Sequence, residues 1–283
     1  SDDGEVDLGS SSVEFKDLYV DGVAYTDALG FGTVAMTLPT ADGSANQVLK
    51  TDGSGALSFT SVATSVNGLS DALVEDTGSM YIGNDPSSTT DAADYNVAVG
   101  TTALSSVTTG DNMTAMGYNA LKNNTTGSEN IAIGYEALRD NVSDVGNVAI
   151  GYQSMLDANG AEYNTAVGNN ALRGTNNTNI TGDENVAVGA GSMKLNIAGA
   201  QNSAVGRYSL YTNTSGTNNT ALGYRSLLSN TTASYNTAIG ADALYDAART
   251  ADADGYNVGL GYNAGNTGTN DITTGNKNTL LGA

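Results

Sequence analysis

The chain has 283 residues with 36 Gly, 2 Pro and no Cys, His or Trp, and 30 acidic side chains against 10 basic ones set its net charge at −20. Such a charge repels nucleic-acid phosphates and anionic lipid headgroups, so neither nucleic acid nor a membrane is expected as a partner, and the missing Cys and His remove disulfides, thiolate nucleophiles, zinc-thiolate sites and imidazole bases. Charged residues are only 14% and hydrophobic ones 39%, which fits a narrow aliphatic core turned by Gly and Asn rather than a disordered acidic tail.

Residues 1–60 read as short strands broken by Asp-Gly turns at 21–22, 42–43 and 52–53, with apolar alternation in EFKDLYVDGVAY and LSFTSV. This predicts a β-rich N-terminal collar. Residues 61–77 form a connector in which Val62, Val66, Leu69 and Leu73 are spaced 4, 3 and 4 apart. That spacing suits a short trimeric coiled coil, with an irregular loop as the alternative. No apolar run approaches the roughly 18 residues needed to span a membrane, and the first residues given show no basic-plus-apolar signal pattern.

From residue 78 to 283 the chain repeats itself. The pattern Asn-x-Ala-aliphatic-Gly-x-x-(Ala/Ser)-(Leu/Met) recurs from Asn96, Asn130, Asn147, Asn164, Asn185, Asn202, Asn219 and Asn236, and its glycines in those copies are Gly100, Gly134, Gly151, Gly168, Gly189, Gly206, Gly223 and Gly240. Weaker copies have Met113 in the Asn place, start at Asn257, or break off after Asn278. From Gly83 to Gly282 the glycine spacing is 17 residues eight times and 21 residues three times. The four extra residues fall in the polar half of the unit, so a loop lengthens while the framework keeps register. About twelve coils of an all-β parallel solenoid, of the β-helix or β-roll type, are expected, each burying its apolar face on the next.

Within a coil, the aliphatic before Gly and the residue two places earlier share one strand face, which is read as buried. The Ala column lies on the opposite face, where side chains so small suggest close approach of another backbone, such as a neighbouring subunit about a threefold axis. The Leu or Met four residues after Gly is expected to supply a second strand or wall. The Asn column reads as turn residues whose stacked amides form ladders. N-glycosylation is the competing reading at Asn176, Asn213 and Asn218.

Chemistry is sparse. The acidic residues Glu129, Asp144, Glu162, Glu184 and Asp254 are scattered through different loops, whereas glycoside cleavage needs two carboxylates at a set separation. No phosphate loop, dinucleotide fingerprint or calcium loop is present. The chain is therefore expected to be no enzyme and to need no cofactor, with weak Ca²⁺ uptake by loop carboxylates as the single ionic expectation. Tyr118, Tyr135, Tyr152, Tyr224 and Tyr262 directly follow the repeat Gly, and Tyr95, Tyr163, Tyr235 and Tyr256 directly precede the repeat Asn. Aligned rings could face a host glycan, but packing of the rings on one another is the favoured reading.

LGSSSVEFKDLYVDG at 8–22 and SANQVLKTDGSGALSF at 44–59 resemble elements common in bacteriophage tail-fibre proteins. The NTAIGADAL type of repeat is similar both to fibre shafts that precede an endosialidase-type intramolecular chaperone and to the β-roll heads of trimeric autotransporter adhesins. The resemblance implies a homotrimer in the virion tail fibre, joined to other fibre or baseplate proteins. It would hold a tip, outside this chain, against a host glycan or protein. An adhesin on a bacterial cell surface whose shaft itself binds glycan or matrix is the alternative. No chaperone follows Ala283 and no virion anchor precedes Ser1, so the chain is expected to be part of a longer polypeptide.

Overall fold

The computed structural model describes residues 28–31, 34–41, 43–45, 47–54, 56–61, 72–74, 78–83, 92–175, 178–246, 255–266 and 277–282. They fall in two compact units divided after Thr64. All regular structure among them is β, with no helix.

In the first unit, β1 (Ala28–Phe31) pairs antiparallel with β2 (Val34–Thr37), and β3 (Gln47–Thr51) pairs antiparallel with β4 (Leu57–Ser61). The expected turn at 52–53 closes the second hairpin. Asp52 Oδ1 accepts hydrogen bonds from the Ser54 and Ala56 amides at 2.7 and 3.0 Å, and Gly53 supplies a φ of +82°. Asp-Gly 21–22, the segment EFKDLYVDGVAY, and Val62, Val66 and Leu69 of the connector lie outside the described residues. Leu73, the last position of the heptad spacing, lies in strand β5 (Ala72–Val74), so the connector is not helical there.

The second unit is a tandem-repeat parallel β-solenoid. β5 pairs antiparallel with β6 (Met80–Ile82), and from β6 onward every pairing is parallel. The rungs are β7 (Val97–Val99), β8 (Thr114–Met116), β9 (Ile131–Ile133), β10 (Val148–Ile150), β11 (Thr165–Val167), β12 (Val186–Val188), β13 (Ser203–Val205), β14 (Thr220–Leu222), β15 (Thr237–Ile239), β16 (Val258–Leu260) and β17 (Thr279–Leu281). Twelve parallel strands stack in one sheet, so at ~4.8 Å per rung the stack is about 53 Å long. Register survives the length change. Thr165 still pairs with Val186 across a 21-residue coil, in which Thr175 bridges antiparallel to Thr178 and Ile180 lies buried in the core.

The two strand faces are the reverse of the sequence expectation. Ala98, Ala115, Ala132, Ala149, Ala166 and their successors point inward and are buried, whereas Met116, Ile150, Val205, Leu222 and Ile239 face outward and are well exposed. Alanine is small here because the Leu and Met column fills the interior opposite it. Gly259 stands in the Ala column, and a Cβ added there would lie 2.8 Å from Leu244 Cγ. Large side chains stand at that place in the two end rungs, the buried Tyr81 paired with Ala98 in the first and the partly buried Leu280 paired with Gly259 in the last.

The Leu column is no second strand either. Leu104, Leu121, Leu138, Met155, Leu172, Met193, Leu210, Leu227 and Leu244 sit in turns with φ between +45 and +51°, all fully buried. A left-handed conformation costs a non-glycine residue about 1–2 kcal/mol, and complete burial of a Leu or Met offsets it with about 1.5–3 kcal/mol. The turn persists because it drives that side chain into the core.

Candidate functional site

The asparagines named from the sequence form a buried ladder, continuous from Asn130 and interrupted at Met113. Oδ1 of each accepts from the backbone N–H of the next: Asn130 from Asn147 at 2.9 Å, Asn147 from Asn164 at 2.9 Å, Asn164 from Asn185 at 2.8 Å and Asn185 from Asn202 at 3.0 Å. Asn202, Asn219 and Asn236 continue it to Asn257. Asn96 serves the Met113 amide in the same way at 2.9 Å.

A second Asn column, seven residues after Gly, went unread in the sequence although it recurs at Asn124, Asn141, Asn196, Asn213 and Asn230. All five are buried. The two columns converge, with the Gly216 carbonyl accepting from Asn202 Nδ2 at 2.9 Å and from Asn213 Nδ2 at 3.0 Å. Gly199 and Ala233 are gripped alike by Asn185 with Asn196 and by Asn219 with Asn230. This explains why Met113 is tolerated in the first column. Asn124 alone still donates to the Gly127 carbonyl at 2.9 Å. Asn213, one of the sequence matches for glycosylation, is inaccessible; Asn218 is exposed, and Asn176 lies outside the described residues.

The repeat glycines Gly100, Gly134, Gly151, Gly168, Gly189, Gly206, Gly223 and Gly240 share a φ between +129 and +139°. Each lies against the next one up the stack: a Cβ on Gly206 would lie 2.3 Å from the Gly223 carbonyl oxygen. The close backbone approach that the Ala column suggested is therefore made by the glycines, and it lies within the chain.

Tyrosines pack along the stack. Tyr118 and Tyr135 stack at 5.4 Å, Tyr135 and Tyr152 at 5.2 Å, and in the other column Tyr235 and Tyr256 stack at 4.9 Å with planes 3° apart. Both faces of Tyr135 are thus occupied by rings, leaving edges and hydroxyls to solvent. Tyr224 packs instead under the Arg225 guanidinium, 4.8 Å from its ring, and Tyr262 is exposed. The Tyr135 phenol is held above the ordinary tyrosine value, first by the negative charge of Glu136, then by burial and the neighbouring Tyr152 and Tyr118, with Arg139 opposing. A folded-state value above the unfolded one stabilises fully below pH ~10 and the effect fades as pH rises through the folded value. In an alkaline absorbance titration, Tyr135→Phe should remove a component ionising above pH ~10. Loss of a component at or below that pH would contradict it.

Carboxylates act on backbone rather than on one another. Asp144 Oδ2 accepts from the Gly160 and Ala161 amides at 2.7 and 3.1 Å, Asp111 Oδ1 from Asp94 N at 2.8 Å, and Asp183 Oδ1 from Glu162 N at 2.8 Å. Among the described residues no three acidic side chains gather to hold a metal ion, and no helix is long and apolar enough to cross a membrane.

What the solenoid offers outward is therefore a strip of exposed aliphatics on one sheet face, two tyrosine columns and a polar loop edge. No protein-family model, no curated protein and no solved structure matches the chain.

Proposed function

We propose that the chain is a non-catalytic structural segment of a fibre of the bacteriophage tail-fibre kind, a stiff homotrimeric spacer that presents a receptor-binding tip for host attachment. The observation that carries this reading is the unbroken stack of twelve parallel strands in register. Coil lengths change along it, yet the rungs do not, so the described coils share one filled core. The resemblance of residues 8–22 and 44–59 to fibre elements supports the virion setting.

Self-association finds support in the outward strand face. Met116, Ile150, Val205, Leu222, Ile239 and Leu260 line up along one sheet, each more than a third exposed. A contiguous apolar strip of this kind is what a protein partner ordinarily covers. Three copies placing this strip about an axis would bury it while the acidic loops stay in solvent.

Light scattering on dilute protein in EDTA should give the mass of three chains, and Leu222→Glu with Ile239→Glu should reduce it to one chain that remains folded by circular dichroism. A wild-type monomer would overturn the trimer, and a trimeric double variant would move the interface elsewhere.

A further inference from the structure

Charge along the solenoid is uneven. Between Tyr163 and Ala241 the only acidic residues are Asp183 and Glu184, against the basic Arg173, Lys194, Arg207 and Arg225, in a chain whose net charge is −20. Both acids are engaged where they stand, Asp183 with the Glu162 amide and Glu184 Oε2 with Gln201 Nε2 at 3.0 Å. From Asn185 to Ala241 no acidic residue occurs.

Within this sector, three adjoining hollows share their walls. The first, of about 270 Å³, is bounded by Arg173, Thr175, Thr178 and Lys194 and owes its rim to the longer coil. Lys194 also borders the second, of about 110 Å³, with Asn169, Asn170, Tyr208 and Tyr211. Those tyrosines and Leu228 enclose the third, of about 200 Å³. The result is a groove that is cationic and amide-rich at one end and aromatic at the other. Tyr208 and Tyr211 meet edge to face at 5.4 Å with planes 89° apart, so they hold each other rigid without covering both faces.

The cations differ in their commitments. Arg225 is tied to Asp242 at 2.7 Å, and Arg139 to Asp140 at 2.7 Å and Glu136 at 3.4 Å. Arg207 lies over the Tyr208 ring at 4.4 Å. Lys194 Nζ, 5.9 Å from the Tyr211 ring centre, has no ion pair among the described residues. An ammonium without an ion pair at the middle of the groove, with Arg173 bordering the same end, is the place for an anionic group.

We infer that this groove, centred on Lys194, Tyr208 and Tyr211, is a lateral binding site for a carboxylated sugar within an acidic glycan. A pyranose packs its C–H face on Tyr211 and Leu228, its hydroxyls reach the Asn169 and Asn170 amides, and its carboxylate pairs with Lys194. Single-stranded nucleic acid also combines rings with anions, but it carries a phosphate at every nucleotide and needs a run of unpaired cations. The inference goes beyond the spacer reading and does not rest on it.

The test is calorimetric titration of the full chain with short galacturonic acid oligosaccharides, alongside uncharged malto-oligosaccharides and oligo-dT. Saturable binding of the uronate alone is expected. Lys194→Glu and Tyr211→Ser should each weaken it about tenfold or more, the scale of one charge-assisted contact. Lys122→Glu, at the same repeat position in a coil outside this sector, should leave it unchanged. Far-UV circular dichroism checks the fold, and Lys194→Gln replaces Lys194→Glu should that variant unfold. No saturable binding by the wild type would overturn the inference. So would equal binding of the neutral sugar or of oligo-dT, or an equal loss in Lys122→Glu. Scattering mass in the same buffer reports assembly separately, so failure of the groove and failure of the trimer are told apart.

Discussion

Gly206→Ala should be among the most damaging single substitutions in the solenoid, lowering stability by roughly 2–6 kcal/mol. Two costs combine. At φ +138° an L side chain is strained by about 1–3 kcal/mol. The added Cβ, 2.3 Å from the Gly223 carbonyl oxygen, must push apart two backbones that hydrogen bonds hold together, an overpacking cost of about 1–3 kcal/mol or more. Gly160→Ala is the matched comparison. Its φ of +105° is also unfavourable, but the nearest atom to a new Cβ is Thr181 Cγ2 at an ordinary 3.6 Å, so only the strain of about 1–3 kcal/mol should appear. Urea unfolding followed by circular dichroism ranks the two. Amide hydrogen exchange should show protection failing first in the coils joined at Gly206 and Gly223, since a solenoid can open locally. Equal effects would mean that strain alone, and not the approach of successive coils, excludes side chains from this column.

The paired Asn columns lead to a non-additive result. Asn202→Ala deprives the Asn219 amide of its Oδ1 acceptor at 2.9 Å and leaves a cavity, together about 2–4 kcal/mol. The Gly216 carbonyl, however, keeps its bond from Asn213. Asn213→Ala leaves that same oxygen to Asn202. Only the double variant strips it of both donors, so the loss should exceed the sum of the singles by about 1–2 kcal/mol. Additivity in the cycle would show that the two amides do not back each other up at the Gly216 carbonyl.

Much of this architecture is legible in the sequence, because a period that recurs from Gly83 to Gly282 leaves one way to stack the coils. The Asn ladder and the hairpin at 52–53 follow from residue chemistry. The inversion of the strand faces does not. Alternation shows that Ala149 and Ile150 lie on opposite faces, but which is interior depends on what fills the space across the coil. That is Met155, at φ +50°, in a conformation sequence rules assign to Gly or Asn. Large aliphatics were read as core, whereas here the core is so thin that only Ala fits opposite Leu. The groove beside Lys194 was hidden differently. A net charge of −20 averages away a sector where the balance is positive, and the aromatic end needs Tyr208 and Tyr211, which belong to neither tyrosine column.

The parallel pairing that builds the stack also fixes its response to load. Hydrogen bonds between rungs run along the axis of the stack, so compression and bending press against a filled core and many bonds at once. Axial tension instead meets them one rung at a time, as in unzipping. Each coil peeled away would release 17 or 21 residues, about 55–75 Å of extended chain in place of ~4.8 Å of rod. Under tension the solenoid unit would thus yield stepwise, its extension absorbing work coil by coil.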